Sequence, residues 1–477
     1  MDKVFASLRT FGVLLGLWVI LVVVGIVFGV LPIPGLTPDA DPTADGGVAD
    51  ADGGVDADDA GARADAAAPD AGTEPPEADV EPPPEEVAPA APVAEAAARW
   101  SVCEGSADPS LAVLDAFGDA RPEIVVGCRE GWHVLGMSAT GPSRIARFLV
   151  AAPPADQQAI AGPMARGDVD GDGTGDLVMP LAYVGDHGAS RGGGLFWIPR
   201  DSFGGIREPA LLAPITAVSA IVAAVDGETG GEIVAMNRAN ALAQLASEVW
   251  IFGGGASPTR AAALVTGLNG SAVAVMDADR DGHPDVVALA DGRVDLHFGD
   301  GAGAFPRNHT LELPGARELG YGDVDGDGGA DLVVLANDLR WIRAGALDGM
   351  EPHGIDGVPV NLRGLQVLDA DGDGAIDLLG WDHPRLMFLR QREPVDFEPR
   401  TAFTLAGGPF GPRRHRVADL DGDGTNDDLV LLGTTAEEGA PLEIVVLLDA
   451  LEGAELTPSD EARPVPDAPL VLTATLR

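Results

Sequence analysis

The sequence predicts an all-β fold, a seven-bladed β-propeller set behind one N-terminal membrane-spanning helix and a disordered linker. Three observations predict it. A nine-residue pattern of aspartate and glycine returns five times, and two decayed copies complete a repeat of 46 to 56 residues. Each copy is followed by a short apolar run rich in strand formers. Upstream of all copies, residues 11–31 are apolar without a charge, and the stretch after them is built of little but Ala, Asp, Pro, Gly and Glu.

The first element is the apolar run Phe11 to Leu31. As a helix it spans about 31 Å, the thickness of a hydrocarbon core. It is longer than a signal-peptide core, and Pro32-Ile-Pro34 after it offers no small-x-small cleavage site, so it reads as an uncleaved anchor. Lys3 and Arg9 precede it and an acidic stretch follows, which places residues 1–10 in the cytoplasm and everything after residue 31 outside it. Lys3 is the only lysine among many arginines, the bias of a GC-rich genome. The expected location is therefore a bacterial inner membrane, with the propeller on the periplasmic side.

Residues 32–98 have no periodic apolar face, and their composition predicts disorder. Such a linker reaches between about 45 Å as a coil and about 200 Å extended. With 75 acidic against 30 basic residues and a formal net charge of -45, the chain is unsuited to contact nucleic acid or anionic lipid head groups.

The propeller is expected over residues 99–477. Its five full loops carry carboxylates at positions one, three, five and nine: Asp168, Asp170, Asp172 and Asp176; Asp277, Asp279, Asp281 and Asp285; Asp323, Asp325, Asp327 and Asp331; Asp369, Asp371, Asp373 and Asp377; Asp419, Asp421, Asp423 and Asp427. In the last loop Asp428 competes with Asp427 for position nine. Alternate carboxylates on a tight turn are suited to a hard cation that takes six to eight oxygens, hence about five calcium sites. Glycine at position six permits the turn. Position seven is Thr174, His283, Gly329, Ala375 or Thr425, a variety that fits a backbone ligand. An EF-hand needs glutamate at position twelve, where this chain has Met179, Ala288, Val334, Gly380 and Val430. Without a cation, four carboxylates about 5 Å apart repel by roughly 3 kcal/mol per pair, so the loops are expected to order on binding metal.

First aspartates are separated by 109, 46, 46 and 50 residues. The double interval hides a decayed copy at 224–232, and another lies at 115–123, giving seven units; six or eight blades also fit the spacing. The C-terminal run from Pro469 is expected to supply the last outer strand, with Trp100 to Cys103 beside it closing the ring. Cys103 and Cys128 either form one bridge, stapling the first blade, or remain two core thiols.

These loops, with Phe252-Gly-Gly-Gly-Ala256 and Phe298-Gly-Asp300-Gly, resemble the FG-GAP/VCBS repeat family, whose blades are similar to those of the integrin α-chain propeller. The resemblance covers roughly residues 99–477. It implies calcium held by the matching aspartates in a structural role, and surfaces used for adhesion or ligand recognition. The departures at Phe117 and Ala224 weaken the metal assignment in the first and third units.

No catalytic constellation is apparent. Ser190 matches a nucleophile-elbow spacing but sits in a glycine-rich loop, and Arg166-Gly-Asp168 is the start of a cation loop rather than an adhesion tripeptide. The histidines lack zinc-site spacing, and the tryptophans fall in strands, where packing explains them. The expected function is a non-enzymatic recognition, adhesion or scaffolding module whose partner is a protein or a glycan. The alternatives are a polysaccharide lyase or hydrolase on a propeller and a passive subunit of an envelope complex.

Overall fold

In the computed structural model, residues 97–474 are described apart from short internal segments, the longest being 240–244. The apolar run Phe11 to Leu31, expected to span a membrane, and nearly all of residues 32–98 lie outside the described residues. No helix among the described residues is long and apolar enough to cross a membrane.

Among the described residues seven separate sheets are present, one for each unit counted in the sequence. Blades one to seven begin with the strands Ser110–Leu114, Gln157–Ala161, Ala217–Ala223, Ala272–Met276, Glu318–Gly322, Arg363–Leu368 and Phe410–Ala418. Each then runs antiparallel through its successive strands. Blade four is typical: Ala272–Met276, Asp285–Ala290, Arg293–Phe298 and Arg307–Glu312 pair in sequence order. In blade two a short extra strand, Ala165–Gly167, pairs beside Gln157–Ala161 on the long strand Asp176–Gly185.

The second strand of each blade is apolar on both sides because both sides are covered. Within Asp285–Ala290, Val287 and Leu289 face a core shared with blade five, while Val286 and Ala288 face one shared with blade three. Successive strand residues point to opposite faces, so a continuous Val/Ala/Leu run fills two cores at once. Seven such cores exist, one at every junction between neighbouring blades, including that between blades seven and one. The ring is closed at seven, and each fully buried Val or Leu in it contributes about 1.5 to 3 kcal/mol.

Closure differs from the expectation. The strand Ala97–Cys103, beginning two residues before the expected boundary, joins blade seven, antiparallel to Leu442–Leu447. The C-terminal strand Leu470–Ala474 does not lie beside it but pairs in parallel with Gly141–Val150, the outer strand of blade one. With the seam already filled by the N-terminal strand, the remaining chain finds free edges elsewhere. Ala454–Leu456 adds to blade six, Pro458–Pro464 to blade seven beyond Ala97–Cys103, and Leu470–Ala474 to blade one, all in parallel. The tail is thus a strap over three consecutive blades. Cys103 and Cys128 are bonded, but the bridge joins the closing strand of blade seven to blade one rather than stapling blade one internally.

Candidate metal centre

Every nine-residue loop joins the first strand of its blade to the second, except in blade two, where it runs from the short strand Ala165–Gly167 to Asp176–Gly185. In blade four Met276 pairs with Asp285, so the ladder itself brings position nine beside position one. All the loops therefore stand on one face of the ring.

Position nine is the best buried acidic position. Asp176, Asp285, Asp331 and Asp377 have no solvent exposure, and Glu123, Glu232 and Asp428 have almost none. In all seven blades this carboxylate accepts a hydrogen bond from the backbone amide just after position one. The donors are Ala116 (2.7 Å), Val169 (3.1 Å), Val225 (2.7 Å), Ala278 (2.8 Å), Val324 (3.1 Å), Ala370 (3.1 Å) and Leu420 (2.6 Å). In four blades the second oxygen takes an amide at the far end of the third strand, just beyond it at Arg200 (2.8 Å), Gly299 (2.8 Å) and Ala344 (2.9 Å) and within Arg385–Glu393 at Gln391 (3.0 Å). Position nine is thus a staple that fastens the loop to the blade. The last loop resolves in favour of Asp428, which takes the Leu420 and Asp421 amides, while Asp427 accepts from the Thr425 hydroxyl at 2.9 Å. Asp427 is displaced because the extra residue in this loop moves the start of the strand to Asp428.

The other carboxylates fold the loop around themselves. Asp168 accepts from Gly171 (2.8 Å), Asp172 (3.1 Å) and Gly173 (2.9 Å), and Asp277, Asp323, Asp369 and Asp419 each accept the amide of the glycine at position six. Position three accepts the amide of position five, as Asp325 does from Asp327 at 3.2 Å. Position five accepts the amide of position seven: Asp172 from Thr174, Asp281 from His283, Asp327 from Gly329, Asp373 from Ala375 and Asp423 from Thr425. Position seven thus joins the turn through its amide in all five loops, and Thr425 adds its hydroxyl to Asp423 and Asp427. The His283 ring lies over Gly301 instead of among the carboxylates.

Positions one, three and nine converge. In blades two, four, five and six their carboxylate oxygens lie within 4.8 Å of one another, in the groups Asp168, Asp170 and Asp176; Asp277, Asp279 and Asp285; Asp323, Asp325 and Asp331; and Asp369, Asp371 and Asp377. Position five stays with the turn and is absent from these groups. All donors are hard oxygens, and three carboxylates offer up to six of them, the set calcium prefers. Burial pushes Asp285 and Asp377 up to about 6, and it raises Asp176 and Asp331 as well. A cation beside these groups relieves that cost. In blade one position three is Phe117, in blade three position one is Ala224, and Glu123 is pushed by burial to about 7.

Sequence reasoning missed the arginines. Arg307 meets Asp279 (2.5 Å), Arg343 meets Asp325 (2.7 Å) and Asp327 (2.6 Å), and Arg390 meets Asp371 (2.6 Å) and Asp373 (3.0 Å). Arg280, at position four of blade four, reaches across to grip Asp327 of blade five with both guanidinium arms. It does so from a left-handed backbone (φ 61) where the other full loops have glycine, a conformation that costs an L-residue about 1 kcal/mol or more. Hydrogen bonds from Arg280 and Arg343 hold Asp327 far below the usual carboxylate range. The repulsion expected among the carboxylates is thus divided among loop amides and, in blades four to six, arginines.

The remaining motifs have structural roles. Asp168 of the Arg-Gly-Asp sequence is occupied by loop amides, and Arg166 lies 3.8 Å from Asp115. Ser190 opens the strand Ser190–Ile198 rather than a strand-to-helix turn. Trp132, Trp197, Trp341 and Trp381 are buried in the cores between blades.

Residues 277–334 and 369–430 match the FG-GAP-like repeat family model, so the chain carries FG-GAP-like repeats. No curated protein matches the chain. Among solved structures, an Agrocybe aegerita lectin described as recognising non-reducing terminal N-acetylglucosamine is similar at 14% identity over 72% of this chain and 90% of that one, with a TM-score of 0.43. BBS1N, solved in complex with ARL6DN, is similar at 11% identity over 75% of this chain and 99% of that one, TM-score 0.45. The Dos1 propeller is similar at 12% identity over 72% and 78%, TM-score 0.42.

Proposed function

We propose that this seven-bladed propeller with FG-GAP-like repeats is a calcium-stabilised, non-enzymatic recognition or scaffolding module, tethered outside the cytoplasm by the apolar run Phe11 to Leu31. The observation that carries the calcium reading is the recurrence of three converging carboxylates in four blades, each group including a buried aspartate. In this reading Asp168, Asp170 and Asp176 and their counterparts hold the ion, position five shapes the turn, and the metal fixes loops rather than performing chemistry. The tether is supported by the length and apolarity of residues 11–31 and by Lys3 and Arg9 before them. The recognition role is supported by the rigid ring, which presents two unlike faces, one of them lined by the aspartate loops. The partner expected is a protein or a glycan.

The test is a set of thermal melts of residues 97–477 in calcium, magnesium and chelator. A ligand that binds only the folded state at a hundred times its Kd adds about 2.7 kcal/mol, a rise of several degrees. Equal midpoints in calcium and chelator would remove the calcium reading. Incubation of the same protein with polysaccharide libraries should release no product.

A further inference from the structure

The bond between Cys103 and Cys128 does not stand among apolar side chains alone. Both sulfurs, a carboxylate oxygen of Glu130 and a ring nitrogen of His133 lie within 4.8 Å of one another. The register explains the grouping. Val126 pairs with His133 and Cys128 with Gly131, so Cys128 ends one strand of the blade-one hairpin, Glu130 lies in its turn and His133 is near the start of the next strand. Alternation puts Cys128 on the same side as Val126 and His133 on the same side as Leu135, facing the core between blades seven and one. Cys103 arrives from across that core, as the last residue of the closing strand, where it pairs with Leu442. This end of blade one is opposite Leu114 and Glu123, which border the acidic loop. Cys128 has no solvent exposure and His133 is 2% exposed. The His133 Nε2 is 3.1 Å from Glu130 Oε1, while its Nδ1 and Glu130 Oε2 have no hydrogen-bond partner among the described residues. A buried imidazole nitrogen and a carboxylate oxygen left unused side by side are costly for packing alone. The Glu130 side chain is 35% exposed, which gives the cluster a solvent side.

We propose that, when the bond between Cys103 and Cys128 is reduced, these four residues become a tetrahedral site for a zinc-class ion, held by two thiolates, the His133 imidazole and the Glu130 carboxylate. Two sulfur donors, one nitrogen and one oxygen suit zinc and not calcium, which takes oxygens. Zinc bonds of about 2.0 to 2.3 Å set tetrahedral ligands about 3.3 to 3.8 Å apart. Atoms already within 4.8 Å reach that spacing by small side-chain movements, the largest being the parting of the two sulfurs. A dithiol reductant supplies two electrons and two protons and itself becomes a cyclic disulfide. The two thiols then give their protons to solvent as the ion binds. Because Cys103 belongs to the closing strand of blade seven and the other three ligands to blade one, coordination would replace the covalent stitch at the same seam. The site is independent of the aspartate loops, which lie at the other end of the blades.

The test uses the full chain in excess calcium, so that the aspartate loops do not compete for the probe. After reduction by dithiothreitol and desalting under nitrogen, cobalt(II) should produce the sulfur-to-cobalt charge-transfer band of thiolate ligation, and zinc should displace it. The unreduced protein should show no such band. His133→Ala and Glu130→Gln should each weaken zinc binding about tenfold or more, read by competition with a chromophoric chelator, while Arg400→Ala on an outer strand of blade six leaves it unchanged. Glu130→Gln keeps the shape of a partly exposed side chain, so a loss of affinity there is not a loss of fold. Zinc, unlike magnesium, should raise the urea midpoint of the reduced protein, and should raise it less in His133→Ala. The proposal is overturned if the reduced, strand-rich protein gives no thiolate band, if both variants bind zinc as tightly as the parent, or if the reduced chain unfolds with zinc present.

Discussion

Asp285 distinguishes a structural role for the loop carboxylates from a metal-binding one. It has no solvent exposure and accepts the amides of Ala278 and Gly299, both at 2.8 Å. Asp285→Ala leaves two buried N–H groups without acceptors, at about 1 to 3 kcal/mol each, so a loss of about 2 to 5 kcal/mol is expected even in chelator. Asp281, four residues earlier, is the contrast. It accepts the amide of His283 within an exposed turn, where water replaces a lost acceptor, so Asp281→Ala should cost less than about 1 kcal/mol. The assay is urea unfolding of both variants and the parent, each in chelator and in excess calcium. In calcium the Asp285→Ala protein should also show a smaller metal-induced shift, because a member of the converging group is gone. A seven-unit ring need not unfold in two states, so the midpoint is the quantity to compare. If Asp285→Ala costs nothing in chelator and matters only in calcium, position nine is a ligand alone and the staple argument fails.

The bond between Cys103 and Cys128 closes a segment with sequence separation 25, so reduction or a double serine variant should cost about 3 kcal/mol, measured as a lower urea midpoint. Ending the chain at residue 453 removes the three strap strands but leaves the closing strand Ala97–Cys103. That protein should keep a strand-rich circular dichroism spectrum and a calcium response at a reduced melting temperature, and an unfolded chain would refute the closure described here. In chelator, stability should fall as pH rises from about 4.5 to 7.5. Asp285 and Asp377 are pushed up to about 6, above the ordinary 3.8, so their folded forms favour the proton, and their contribution is complete below about 4 and lost through pH 6. Excess calcium should reverse the slope, since the ion replaces the proton at those carboxylates. Melts across that pH range with and without metal decide both signs.

Much of this architecture was legible because the repeat is printed in carboxylates. The decayed copies at 115–123 and 224–232 kept the acidic residue at position nine after losing others, and that signal located blades one and three. The same signal contains the staple: an acid that persists in seven copies, including two that lack the full set, is fastening backbone. Position three against position five was not separable by spacing, since only the turn geometry sends Asp172, Asp281, Asp327 and Asp373 to the amides of position seven. The arginines that reach the loops come from as far as 47 residues away, as Arg280 does to Asp327, and no local pattern announces them. The seam was misread for a related reason. Which edge a terminal strand takes depends on which edges are already filled, and that is a property of the closed ring.

The strand Ala97–Cys103 is hydrogen-bonded on both sides, to Leu442–Leu447 and to Pro458–Pro464. A pull applied at Ala97 along the strand must therefore shear two ladders together, one antiparallel and one parallel, before the ring opens. Beyond them the bond from Cys103 passes the remaining tension covalently into blade one. A propeller whose seam is sewn at the point where its chain enters is built to resist traction from that end, and its weakest response to force should lie in the outer blade edges that no strap covers.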